Sequence, residues 1–190
     1  EASDLYGTFI ALVFLTPFIG GLIADRYWGY KKSIVIGGIM MGAGYFMMGI
    51  HDITMLYIAM TLVIVGNGFF KPNISTLLGN FYTEEKFKDK KDEGYNIFYM
   101  GINIGAFLGQ FICPWVGDVK DAETGVRDIF AFKWGFLAAS IAMIIGTITF
   151  FVLKNKYVVT PEGRPIGGLP KNNVNDDFEE GDEPGSDEIT

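Results

Sequence analysis

The residue best placed to do chemistry is Lys71, set inside the apolar run 64–82, IVGNGFFKPNISTLLGNFY. The stretch from Met55 to Tyr82 is long enough to cross a bilayer at about 1.5 Å of rise per residue. An ammonium near the middle of such a span costs on the order of 2.5 to 3.5 kcal/mol on insertion scales, so Lys71 is expected to face a bundle interior or a watery cavity and to handle a partner charge. The plain alternative is a stem that snorkels to the interface, but about 16 Å of helix separate Lys71 from the Tyr82 end. Asn67, Asn73 and Ser75 make one face of the same helix polar. Pro72, directly after the lysine, removes a backbone donor and frees a carbonyl one turn back.

No other constellation competes. The chain has one histidine, His51, and one cysteine, Cys113, in different regions, so neither a nucleophilic triad nor a metal site with ligand spacing can be assembled. Enzymatic and metal chemistry are therefore not expected. Cys113 lies in an apolar run, where packing explains it. Residues 1–157 carry 13 basic and 13 acidic side chains, whereas 158–190 carry 2 and 9, so the formal charge of −7 belongs entirely to the C-terminal stretch. That balance gives no reason to expect nucleic acid as a partner.

The elements that must hold Lys71 are long and apolar. Runs at about 5–24, 34–50, 55–82, 95–116 and 130–153 each meet or approach the length of a membrane span and are joined by short polar connections. In lipid that pattern means helices, so the expectation is an all-α membrane protein: a five-helix transmembrane bundle over 1–157, followed by an acidic tail, 158–190, that is largely disordered. Connections after the first, third and fifth runs carry nine basic residues against three on the other side. The positive-inside rule then makes this a multi-pass protein of the cell (inner, cytoplasmic) membrane, with residue 1 outside and 158–190 cytoplasmic. In the opening EASDLYG no signal peptide is recognisable, and with an odd number of spans starting outside at least one further span is expected before Glu1. Gly38 and Gly42, and the series Gly101, Gly105 and Gly109, form ridges on which another helix can approach closely. Pro17 and Pro114 mark expected bends, and Trp28 and Trp134 suit an interfacial aromatic belt.

Three motifs now fall in order. GGLIADRYWGYKK, Gly20 to Lys32, resembles the G-x-L-A-D-R-x-G-R-K loop of the major facilitator superfamily. GNGFFKPNIS, Gly66 to Ser75, and FYMGINIGAF, Phe98 to Phe107, resemble the fourth- and fifth-helix signatures of the proton-dependent oligopeptide transporter family. The resemblance implies that the five spans are helices two to six of a twelve-helix carrier, most of its N-terminal six-helix half, and that the acidic stretch begins its central linker. It implies proton-coupled symport of di- and tripeptides by alternating access, with a small peptide, a proton, the lipid bilayer and the remainder of the same carrier as partners and no cofactor beyond the coupling proton. Carried over by position, Lys71 matches the lysine tied to proton coupling and the peptide carboxylate, and Asn103 the signature asparagine whose amide can meet a peptide bond. Phe14 falls where peptide carriers usually have a pocket tyrosine. Tyr99, one turn before Asn103, and Asn67, one turn before Lys71, are candidate cavity residues with packing as their alternative. Gly21, Asp25, Arg26 and Gly29 match the loop motif, in which the carboxylate can cap a helix start and the ion pair can hold one gating state.

Two other readings remain open. Phe14 without a hydroxyl fits a related cargo such as nitrate or an amino-acid conjugate, and a non-transporting scaffold would leave the intramembrane Lys and Asn without work. The proton-coupling carboxylates that the family carries on its first, seventh and tenth helices are not in this chain, which is therefore expected to need the rest of the carrier.

Overall fold

The computed structural model describes residues 2–83, 87–118, 132–159 and 166–167. Among the described residues five long helices follow one another: α1, Ala2–Ile23; α2, Tyr30–Met48; α3, Ile53–Phe81; α4, Lys91–Gly117; and α5, Phe132–Tyr157. Each overlaps one of the expected apolar runs, with its ends shifted by a few residues. Local chemistry sets those ends. Asp52 caps α3, its carboxylate accepting the Met55 N–H at 2.9 Å. A short 3-10 turn, Lys88–Lys90, leads into α4.

The α1–α2 connection is a single π-helical turn, Ala24–Trp28, closed by the Gly29 N–H on the Ala24 carbonyl at 2.9 Å. Gly29 has φ +72°, a conformation open chiefly to glycine, and this lets the chain restart as α2.

Four of the five helices are long and apolar enough to cross a membrane; α2 is not. Its apolar stretch begins only after Lys31 and Lys32 and is diluted by glycine. The reason is its place in the bundle. It packs against both α3 and α5, so much of its surface meets protein, and close approach matters more there than greasiness. A Cβ on Gly37 would stand 2.6 Å from the Gly66 carbonyl, and one on Gly44 2.9 Å from that of Ala59, both on α3. On the opposite side Gly38 lies against Thr147, and Gly42 accepts a hydrogen bond from Ser140 at 2.8 Å, both on α5. The ridge expected at Gly38 and Gly42 is thus the α2–α5 contact. Gly101, Gly105 and Gly109 are different: a Cβ on any of them would meet nothing within 4 Å. α4 touches α5 where Gly135 fits against the Cys113 carbonyl, and most of the rest of α4 is exposed. Gly105 and Gly109 border an apolar cavity of about 750 Å³ between α2, α4 and α5.

One end of the bundle is closed by Ala24, Tyr30, Ile34 and Leu77, with Phe70, Ile74, Phe150, Val158 and Ile166 packed on them. Lys31 donates to the Val158 carbonyl at 2.7 Å, the Ile166 N–H reaches the same carbonyl at 3.3 Å, and Gly167 is buried against Leu77 and Lys31. The chain therefore returns to the bundle after α5 at these positions. The expected disorder of 160–165 and 168–190 concerns residues outside those described.

Candidate functional site

The site is organised by a crossing of α1 and α3 at which each helix carries a proline. Pro17 cannot donate to the Val13 carbonyl one turn back. The Asn67 side-chain amide of α3 takes that place, donating to Val13 at 2.9 Å. Next to it, the Thr16 hydroxyl lies 3.0 Å from the carbonyls of both Leu12 and Ile64, so α1 and α3 share a second polar tie. In α3, Pro72 likewise leaves the Gly68 carbonyl without its helical donor. Gly20 of α1 lies directly against that carbonyl, where a Cβ would collide with it. The buried Asn73 side chain donates to the Phe69 carbonyl at 2.7 Å, within the same disturbed turn.

These ties set Phe14 and Lys71 opposite each other, one residue away from Val13 and Pro72 respectively. The Lys71 ammonium stands 5.4 Å from the centroid of the Phe14 ring, within cation–π range. Both side chains are exposed, Phe14 by 70%. Asn67, expected as a cavity residue on the face of Lys71, is half-buried and engaged with α1. Its amide proton serves the Val13 carbonyl, which makes it part of what positions the pair.

Asn103 and Tyr99 are exposed on α4. That helix meets α3 through Tyr95, whose hydroxyl donates to the Ser75 carbonyl at 3.2 Å, one turn beyond Lys71. Tyr95, Tyr99 and Asn103 follow at intervals of four, so they share one face of α4. Tyr99 stacks on Tyr95 with centroids 6.2 Å apart and meets Phe98 edge-on at 5.7 Å. The structure thus brings Lys71 and Phe14 into contact and carries Tyr99 and Asn103 on the Tyr95 face of the neighbouring helix.

The loop motif lies at the closed end. Asp25 and Arg26 are exposed in the π-turn. Asp25 does not cap α2, whose N-cap, Gly29, makes no side-chain cap bond. The carboxylate instead accepts from the Tyr30 hydroxyl, which also meets the Asn80 side chain at the end of α3. Burial, then the hydrogen bond to Asp25 and its negative charge, hold the Tyr30 phenol above its usual value, ahead of the apolar stretch that begins at Ile34. Burial, with Lys154 nearby, lowers Lys31. Trp28 stacks on Phe69 at 5.0 Å, so it pins the turn to α3 in addition to any interfacial role. Gly21 has room: a Cβ there would meet Pro72 at an ordinary 3.8 Å. The glycine required by space is its neighbour, Gly20. That requirement, like the partners of Asn67 and Asp25, depends on the register of two helices and has no signature along the chain.

Comparison with known proteins agrees with this architecture. The model of the family described as PTR2, the POT family, matches residues 31–167. The chain is 30% identical over 178 residues to a di-/tripeptide transporter of Lactobacillus helveticus, covering 91% of this chain and 34% of that protein. A solved POT peptide transporter in complex with alafosfalin superposes with a TM-score of 0.63 at 30% identity, over 91% of this chain and 34% of the other. A POT family transporter in complex with 5-aminolevulinic acid gives 0.64 at 27% identity, over 90% and 33%. The chain spans about a third of the length of the proteins it matches. With the family matched across most of its length and an all-helical, multi-pass fold to accompany it, the chain belongs to the POT family of membrane transporters.

Proposed function

We propose that this chain supplies part of a symporter that couples inward proton flow to the uptake of di- and tripeptides across the cytoplasmic membrane by alternating access. The observation that carries the reading is the Lys71 ammonium, held on an exposed aromatic face within an apolar helix. There it can receive the carboxylate end of a peptide through a charge-assisted hydrogen bond. Asn103 and Tyr99, on the Tyr95 face of α4, offer an amide and a phenol to the peptide backbone. Gly21, Asp25, Arg26 and Gly29 belong to the loop that holds the cytoplasmic end in one gating state. No cofactor beyond the proton is required. A carboxylate elsewhere in the carrier and the peptide carboxylate compete for the one ammonium, so a proton taken up by the carrier's own carboxylate frees Lys71 for the peptide and couples the two flows.

The test is uptake by the full-length carrier in liposomes with an imposed proton gradient. Lys71→Ala is expected to abolish proton-driven accumulation of labelled dialanine while the protein still inserts and folds. Wild-type accumulation would take the lysine out of the mechanism. A second reading keeps the fold and changes the cargo to another small solute with an anionic group, such as nitrate or an amino-acid conjugate. Phe14, which offers no hydroxyl, favours it, and competition against dialanine in the same assay separates the two.

A further inference from the structure

We propose that Phe14 is a positioning residue whose ring face holds the Lys71 ammonium for the arriving carboxylate; this rests on the reading of Lys71 above. Three observations carry it. The ammonium lies 5.4 Å from the ring centroid, so one side of the cation is met by the ring face while its three N–H donors are not all consumed. Phe14 is 70% exposed, so its ring is not a core side chain whose position hydrophobic packing alone explains. The backbone on either side of the contact is fixed by ties that ignore the ring itself: Asn67 to Val13, Thr16 to Ile64, and Gly20 against Gly68. A phenylalanine in this place gives up a hydroxyl contact to solute and keeps the face that attracts a cation.

The chemistry makes a graded expectation. Fluorine substitution of the ring withdraws its negative face with little change of size, so an electrostatic seat weakens stepwise whereas a packing role does not. In the full-length carrier, mono-, di- and trifluorinated phenylalanine at position 14 should raise KM for dialanine progressively. Phe14→Leu should raise it about twofold to fivefold, with a much smaller change in kcat. Phe14→Trp, which keeps a ring face, should raise KM far less than Phe14→Leu. Dialanine amide, which lacks the carboxylate, should be insensitive to the series. Independently of cargo, Lys71 should be modified several-fold faster by a small amine-reactive reagent in Phe14→Leu than in wild type, with Lys90 as internal reference. A wild-type carrier that takes up no dialanine sinks the peptide reading and leaves the labelling comparison to judge the ring. Dialanine uptake with KM flat across the fluorinated series, or Lys71 labelling unchanged in Phe14→Leu, overturns the role of Phe14 alone.

Discussion

At the scale of single residues, Asn67 shows how a polar side chain in a membrane helix is assigned its work. A backbone carbonyl left open by proline in an apolar setting costs about 1 to 3 kcal/mol, and an amide from a neighbouring helix removes that cost. Asn67→Ala should therefore lower the thermal stability of the full-length carrier in detergent by an amount in that range. The same substitution in a Pro17→Ala background should cost clearly less, because alanine returns the N–H that the Val13 carbonyl lacks. Equal losses in both backgrounds would mean that Asn67 acts elsewhere. In the sequence the place of Lys71 inside a long apolar helix was legible, since the length of the run fixes how far it lies from either end. The partner of Asn67 was not, because it depends on which turn of α1 faces which turn of α3.

At the scale of elements, glycine decides where helices cross. Gly20 and Gly21 are adjacent in one motif and differ entirely in surroundings: a Cβ on the first collides with the Gly68 carbonyl, and on the second it finds ordinary contact with Pro72. Gly20→Ala should destabilise the carrier by about 1 to 3 kcal/mol, the range for overpacking a filled contact, while Gly21→Ala stays near wild type. Melting curves of the two variants would show it, and matching curves would contradict the crossing described here. The long helices were readable from apolar length. Their ends were less so: Gly29 restarts the chain as α2 at Tyr30 and Asp52 caps α3 at Ile53, whereas the apolar runs begin at 34 and 55. α2 was the least distinct because a helix enclosed by protein needs small residues more than hydropathy. The Gly101, Gly105 and Gly109 ridge was equally visible, yet among the described residues no helix lies on it.

At the scale of the whole molecule, the basic residues gather at one end. Arg26, Lys31 and Lys32 follow α1, Lys88, Lys90 and Lys91 follow α3, and Lys154 and Lys156 lie in the last turn of α5, the three helices that run toward the closed end. Single cysteines placed at Lys90 and at Asp118 should thus respond oppositely in intact cells to a membrane-impermeant maleimide: Asp118→Cys labelled from outside, Lys90→Cys protected. The reverse pattern would invert the topology inferred from charge. The all-helical plan was legible because lipid leaves the backbone few choices. The return of Val158, Ile166 and Gly167 onto the bundle was not, because a few apolar residues in a polar stretch do not reveal which surface they cover. The paired prolines of α1 and α3 have one more effect. The open Val13 carbonyl is met by Asn67 of α3, and the open Gly68 carbonyl is covered by Gly20 of α1, so the two rods hold each other at both breaks. A rod pinned at that crossing is expected to carry its neighbour with it when it tilts, so a shift of α3 at Lys71 would be shared by α1.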